Sequence, residues 1–260
     1  LAINKVIFEK DNVDLRHTYI DGTKIEANAN KYTWVWKKSC IKNRDKTFLK
    51  VSEILEKMNS EDLNLLGIKF ETRTEYAIEY IEEILNEYKK QLNIDESKFV
   101  YGKGKRKTTY QRKYEELKEY KEKLERYAKH IEICGEKRGS YSKTDKSATF
   151  MRIKRDYMGN DQLLPAYNMQ VAVCDEYIAT VDVKQYASDT DCFVPLMEKF
   201  NKQYGKYPLY PIADAGYGSY NNYIYCEQHG MEKYMKFTMF EKETKNEKYR
   251  DNPYRAVNFS

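Results

Sequence analysis

Apolar residues recur at two periods along the chain, with the change near residue 164. Phe48, Val51, Leu55 and Met58 step at helical spacing; Ile78, Ile81, Leu85, Tyr88 and Leu92 do so again, after a capping-box pattern from Thr72 to Glu75. A third stripe, Tyr110, Tyr114, Leu117, Leu124, Tyr127 and Ile131, predicts a helix over about 108–133 with Glu and Lys on its other faces. The segment Gly102-Lys103-Gly104-Lys105 joins the second and third helices. All five prolines follow residue 164, so the first part permits long helices and the second is punctuated by turns.

In the second part the period falls to two. Tyr167, Met169, Val171 and Val173 alternate with Asn168, Gln170 and Ala172; beyond Asp175-Glu176, Ala179, Val181 and Val183 alternate with Thr180, Asp182 and Lys184. This predicts a β-hairpin. Ser188 and Asp191 read as caps for a helix carrying Phe193, Leu196, Met197 and Phe200 and ending near Gly205. A strand over 209–213, a helix over 220–229 closed by Gly230, and a strand over 231–237 complete the series, and 17–27 near the start reads as extended. The economical fold is α/β, a mixed sheet flanked by helices, with the helical section leaving and rejoining the sheet layer.

Composition narrows the class. At 260 residues with 41% hydrophobic side chains and a mean hydropathy of −0.88, the chain is globular with a charged exterior. It lacks a long apolar run and a secretion-signal pattern, which predicts a cytoplasmic protein without a membrane partner. Cys40, Cys134, Cys174, Cys192 and Cys226 are widely spaced and read as reduced thiols rather than a disulfide or zinc framework. The net charge of +5 is unevenly spread: 98–113 holds Lys98, Lys103, Lys105, Arg106, Lys107, Arg112 and Lys113 and no acid, a patch suited either to phosphate or to solvent. Leu1 in place of a methionine, and a polar stretch from Lys242 to Asn258 before Ser260, read as cut ends.

Asp21 falls within the first predicted strand, and Asp214 ends a strand that feeds the turn Ala215-Gly216-Tyr217-Gly218-Ser219. Carboxylates at strand ends suit Mg²⁺ or Mn²⁺. Taken alone, Asp21-Gly22 reads rather as a hairpin turn and Asp214 rather as a helix-dipole charge. Asp189 and Asp191 read as caps, Asp182 as a solvent-facing strand position, and His17, His130 and His229 as isolated. Trp34 and Trp36 share a face if extended, for core packing or for stacking on a base. The 102–105 segment lacks phosphate-loop spacing.

Three ordered blocks shift the balance. The run from Asp21-Gly22-Thr23-Lys24-Ile25-Glu26-Ala27-Asn28-Ala29-Asn30 to Lys31-Tyr32-Thr33-Trp34-Val35-Trp36-Lys37-Lys38-Ser39 resembles the first catalytic block of one branch of the DDE transposases of bacterial insertion sequences. Ser142-Lys143-Thr144-Asp145 through Ala148–Arg152, with Pro165–Gln170 beyond, resembles that branch's return to the sheet, and Ala213–Ser219 followed by Glu227-Gln228-His229-Gly230 resembles its second catalytic block.

The resemblance implies a ribonuclease H-like mixed sheet with a long α-helical insertion between the first and second strands. It places the first part of the catalytic core at 1–42, the insertion at 43–140 and the rest of the core, incomplete, at 141–260. Asp21 and Asp214 would be the first two acids of the triad and ligands for two Mg²⁺ or Mn²⁺ ions about 3.5–4 Å apart. The third acid, a Glu, is expected outside this chain, since Glu232, Glu241, Glu243 and Glu247 lack a long helical context. As given, the chain is therefore expected to be inactive. In the complete protein it would cut and join transposon ends and target DNA as a homo-oligomer. Lys103, Lys105, Arg106, Lys107, Arg112, Lys113, Arg138 and Lys143 are the expected phosphate contacts. The competing readings are a hydrolytic ribonuclease H-like phosphodiesterase, a non-catalytic DNA-binding remnant of a mobile element, and a helical interaction protein.

Overall fold

The computed structural model describes residues 2–153, 159 and 162–253. Two compact units divide the chain at 33/34 and 141/142.

The sheet unit opens with α1 (Ala2–Lys10), a helix the residue pattern does not announce, and β1 (His17–Glu26). After the helical unit the chain returns through β4 (Thr149–Arg152), β5 (Leu163–Cys174) and β6 (Tyr177–Lys184), then α5 (Phe193–Tyr204), β7 (Tyr210–Ala213), α6 (Tyr220–Gln228) and β8 (Tyr234–Met235). The short helices α7 (Phe240–Lys245) and α8 (Glu247–Arg250) follow. The sheet runs β4-β5-β1-β7-β8, with β6 also paired to β5. β1 is antiparallel to β5 and parallel to β7, and β7 is parallel to β8.

Local chemistry explains most of these elements. Asp175 and Glu176 both take positive φ, 46° and 66°, the two-residue turn whose twist suits a hairpin. Gly205 ends α5 in the left-handed region at φ 72°, and the Ser219 hydroxyl caps α6 by accepting the Asn222 N–H. Phe193, Leu196, Met197 and Phe200 of α5 are fully buried with Ile20, Ala172 and Tyr217, and Phe8 of α1 stacks on Tyr204. Each such side chain contributes about 1.5–3 kcal/mol by leaving water.

The helical unit holds β2 (Trp34–Trp36), α2 (Lys37–Lys57), α3 (Ile78–Gln91) and α4 (Thr109–Cys134), with β3 (Ser140–Ser142) paired to β2. Val51, Leu55 and Met58 meet Ile81, Leu85, Tyr88 and Leu117 in one core. A smaller core at the β2–β3 end gathers Val35, Cys40, Cys134 and Tyr141.

Several expectations need correction. The Thr72–Glu75 capping box does not form: α3 starts at Ile78 behind Ala77 without a side-chain cap. Tyr76 instead accepts the Arg73 N–H through its hydroxyl, and Arg73 pairs with Glu71, which holds that segment extended. Ser188 and Asp191 do not cap α5, which is entered through a 3-10 turn, Thr190–Cys192. The strand expected over 231–237 shortens to Tyr234–Met235. Asp182 is not solvent-facing but buried, ion-paired to Lys184 at 2.9 Å and Lys199 at 3.3 Å. Glu241 and Glu243 lie on the six-residue α7 and Glu247 on the four-residue α8; the part of the 242–258 stretch beyond Pro253 lies outside the described residues.

All five cysteines are buried and free. Among the described residues no helix is long and apolar enough to cross a membrane.

Candidate active site

Asp21 and Asp214 are brought together by strand register. Ile20 lies opposite Ala213 in the parallel β1–β7 pair, so the two aspartates occupy the next step on neighbouring strands, whose axes lie about 4.8 Å apart. The local backbone fixes both carboxylates. Asp21 Oδ1 accepts its neighbour's N–H, from Gly22, at 2.8 Å, and Asp214 Oδ1 accepts the Gly216 N–H at 2.8 Å, opening the 3-10 turn Ala215–Tyr217. Both residues are exposed. Each has one oxygen held by the backbone, and among the described residues its second oxygen makes no hydrogen bond or ion pair.

Beneath the pair lies a buried polar network. On β5, Asn168 and Gln170 are fully buried, although an alternating strand normally sends apolar residues inward. The Tyr217 hydroxyl donates to Gln170 Oε1. Gln170 Nε2 donates to Asn168 Oδ1 at 2.8 Å and to Asp189 Oδ1 at 3.2 Å, and Asn168 Nδ2 donates to the same Asp189 oxygen at 2.7 Å. Burial, reinforced by the carboxylates of Asp189, Asp21 and Asp214, pushes the Tyr217 phenol well above its usual range, so it stays a neutral donor. The nearby Cys192 thiol is pushed up to about 12, chiefly by burial and then by Asp189. Asn222 Nδ2 ties α6 to this loop by donating to the Thr190 carbonyl at 3.0 Å and the Tyr217 carbonyl at 2.8 Å.

The network explains Gly22. It lies opposite Gln170 in the β1–β5 register, and a Cβ there would run into Gln170 Nε2 and come within 3.0 Å of the Tyr217 hydroxyl and 3.1 Å of Asp189 Oδ1. Asp189 is the residue that the local pattern misassigns. Its carboxylate makes no cap but points at the two β5 amides, and its Oδ2 lies 3.8 Å from where a Cβ on Gly216 would sit. The usable signal was the pair of amides at inward positions of β5, which requires a buried partner somewhere in the chain.

The expected phosphate contacts divide. Lys103, Lys105, Arg106 and Arg112 are exposed around the loop before α4, and Lys143 is exposed in the sheet unit. Lys107 pairs with Glu115 at 2.6 Å. Lys113 is withdrawn from solvent and paired with Asp62 at 2.6 Å and Glu61 at 2.7 Å, and Arg138 is likewise buried, so these two belong to the interior of the helical unit. Trp34 is nearly half exposed at 47% while Val35 beside it is buried. His17 meets Asp14, His130 meets Tyr141 and His229 meets the Tyr225 carbonyl.

The hard oxygens of Asp21 and Asp214 suit a divalent cation. Among the described residues no three His, Cys, Asp or Glu side chains are arranged to hold a metal ion. A mixed sheet with one carboxylate in mid-strand on β1 and another just past the C-terminal end of its parallel neighbour β7 is of the α/β class, in which ligands gather at the carboxyl ends of strands. The particular family follows from comparison: residues 128–258, half of the chain, match the transposase DDE domain, and the chain belongs to that family. Its function is DNA transposition, and its enzyme class is that of nucleases and transferases acting on DNA; the non-catalytic remnant is not favoured. No curated protein and no solved structure matches the chain.

Proposed function

We propose that the sheet unit is a ribonuclease H-like catalytic core, that the helical unit is an insertion between its first and second core strands, and that Asp21 and Asp214 hold the divalent ion for strand cleavage and transfer. The observation that carries this is the parallel register setting the two aspartates side by side. The strand order supports it as well: β1 lies between the antiparallel hairpin β5–β6 and the parallel strands β7 and β8. Bound Mg²⁺ or Mn²⁺ would polarise the scissile phosphate and activate the attacking water or 3′-hydroxyl.

The chain's own residues position the ligands. Gly22 and Gly216 N–H groups aim the two carboxylates, and the absence of a side chain at Gly22 leaves room for the network below. Neither aspartate needs to carry a proton, and a further carboxylate completes the ligand set. Lys103, Lys105, Arg106, Arg112 and Lys143, all exposed, contact DNA phosphates without reading sequence.

Asp21→Asn and Asp214→Asn each keep the side chain's shape and lose its charge. Divalent-ion-dependent cleavage of transposon-end DNA by the transposase should fall at least about 100-fold in either, more than loss of an outer-sphere partner costs, with DNA binding intact. Cleavage at the parental rate in either variant removes that residue from the mechanism.

A further inference from the structure

We propose that the first half of α2 carries a second DNA-backbone contact, made by Lys38, Lys42 and Lys46. The inference rests on the DNA-transposition reading above but concerns a surface outside the acid pair and outside the basic loop before α4. The three lysines recur every fourth residue on a continuous helix, so they form one row with steps of about 6 Å. All three are exposed, and none joins an ion pair among the described residues.

Their surroundings compensate this charge only in part. Lys37 is not part of the row, because its ammonium donates to the Gly135 carbonyl at 2.6 Å. Arg44 is occupied by Asp45 at 2.9 Å. Lys50 continues the spacing but lies in the field of Glu119 on α4. A concavity of about 650 Å³ opens beside the row, lined also by Phe48, Leu49, Asp45 and Glu75. Like charges at this spacing oppose one another by about 0.2–0.5 kcal/mol per pair, and of the two acids beside the row Asp45 is already engaged by Arg44. An anionic partner with closely spaced charges relieves it.

A duplex backbone fits that description. Its phosphates rise about 3.4 Å apart along each strand, so a cationic row about 12 Å long spans several of them. Flexible ammonium groups act as point charges, holding phosphates without selecting bases. The row begins at the β2–β3 end of α2, where Lys37 meets Gly135 after the end of α4, whereas the basic loop precedes α4 at its other end. The two basic surfaces therefore lie towards opposite ends of the helical unit.

The test is the salt dependence of binding to a fluorescent duplex of arbitrary sequence, using the full chain. Replacing Lys38, Lys42 and Lys46 by Ala should lower the slope of log affinity against log salt by about 2.7, so that raising salt from about 50 to about 200 mM costs the parent about 40-fold more than the variant. Arginine at all three positions should retain the parental slope. Alanine at Lys5, Lys10 and Lys206 removes equal charge from the sheet unit and should lower the slope by less than about 1. An unchanged slope in the α2 variant, or an equal drop in the control variant, overturns the proposed contact alone. A parent that binds no duplex overturns the DNA reading and the α2 contact together.

Discussion

Two buried polar networks, one in each unit, are built in opposite ways. In the helical unit the buried charge is an ion pair set among large apolar side chains, Lys113 against Asp62, with Tyr88 donating to the same Asp62 oxygen at 2.7 Å. In the sheet unit, apart from the ion-paired Asp182, the network under Asp21 and Asp214 is of neutral amides and a phenol, Asn168, Gln170 and Tyr217, that converge on one carboxylate, Asp189. The first arrangement fixes how three helices pack. The second lies under an exposed pair of acids. A buried network thus supports architecture in one unit and, on the proposed reading, a reacting surface in the other.

The largest effect is expected where the buried charge is broken. Lys113→Met leaves Asp62, whose side chain is only 13% exposed, without its cation, at a cost of about 3–5 kcal/mol. Melting temperature should fall, and amide exchange should accelerate in α2, α3 and α4. Joining Asp62→Leu to the substitution removes the stranded carboxylate and should recover much of the loss, because apolar side chains of similar volume replace buried ion pairs at little cost. A double variant as unstable as the single one breaks the contrast, since the damage would then come from packing rather than charge.

Next is Gly22→Ala. The new methyl meets Gln170 Nε2, an atom held on both sides by Asn168 and Asp189 inside a close-packed layer, so the displacement propagates to the Tyr217 hydroxyl and Asp189. Overpacking of this kind costs about 1–3 kcal/mol. DNA cleavage should fall by more than the loss of folded protein accounts for, since the aspartates flank the disturbed network. Loss of stability with full activity in the remaining folded protein would show that the network does not position Asp21.

The same contrast explains what could be read in the chain. α3 and α4 are legible because their stripes are local: Ile81, Leu85 and Tyr88, or Tyr114, Leu117 and Leu124, identify the buried face within one helix. The β5–β6 hairpin is legible by its alternation and its turn. α1 and β4 escape because one is short and weakly patterned and the other's apolar residues fit either period. Asp21 and Asp214 were found by resemblance, since nothing local links positions so distant; the β1–β7 register then sets them on adjacent strands. Asp189 was misread for the same physical reason in reverse. An aspartate just before a helix has an ordinary local role, and only the far amides of β5 reveal that its carboxylate is used elsewhere. Lys113 and Arg138 likewise look exposed in a basic stretch until the helices around them pack.

The smallest effect separates the units most cleanly. Thr108 caps α4 by accepting the Gln111 N–H, and Ser219 caps α6 by accepting the Asn222 N–H. Removing either hydroxyl by substitution with Ala leaves one helix-end donor unsatisfied and should cost about 1 kcal/mol. Thermal melts should place the two variants side by side. Their activities should differ, because Asn222 also donates to the Tyr217 carbonyl, and a loosened first turn of α6 is felt by the phenol beneath Asp21 and Asp214. Ser219→Ala should therefore slow DNA cleavage measurably, whereas Thr108→Ala should leave it at the parental rate once both are assayed well below their melting temperatures. Equal rates in the two variants would mean that the α6 cap serves stability alone, and that the site tolerates a frayed neighbour.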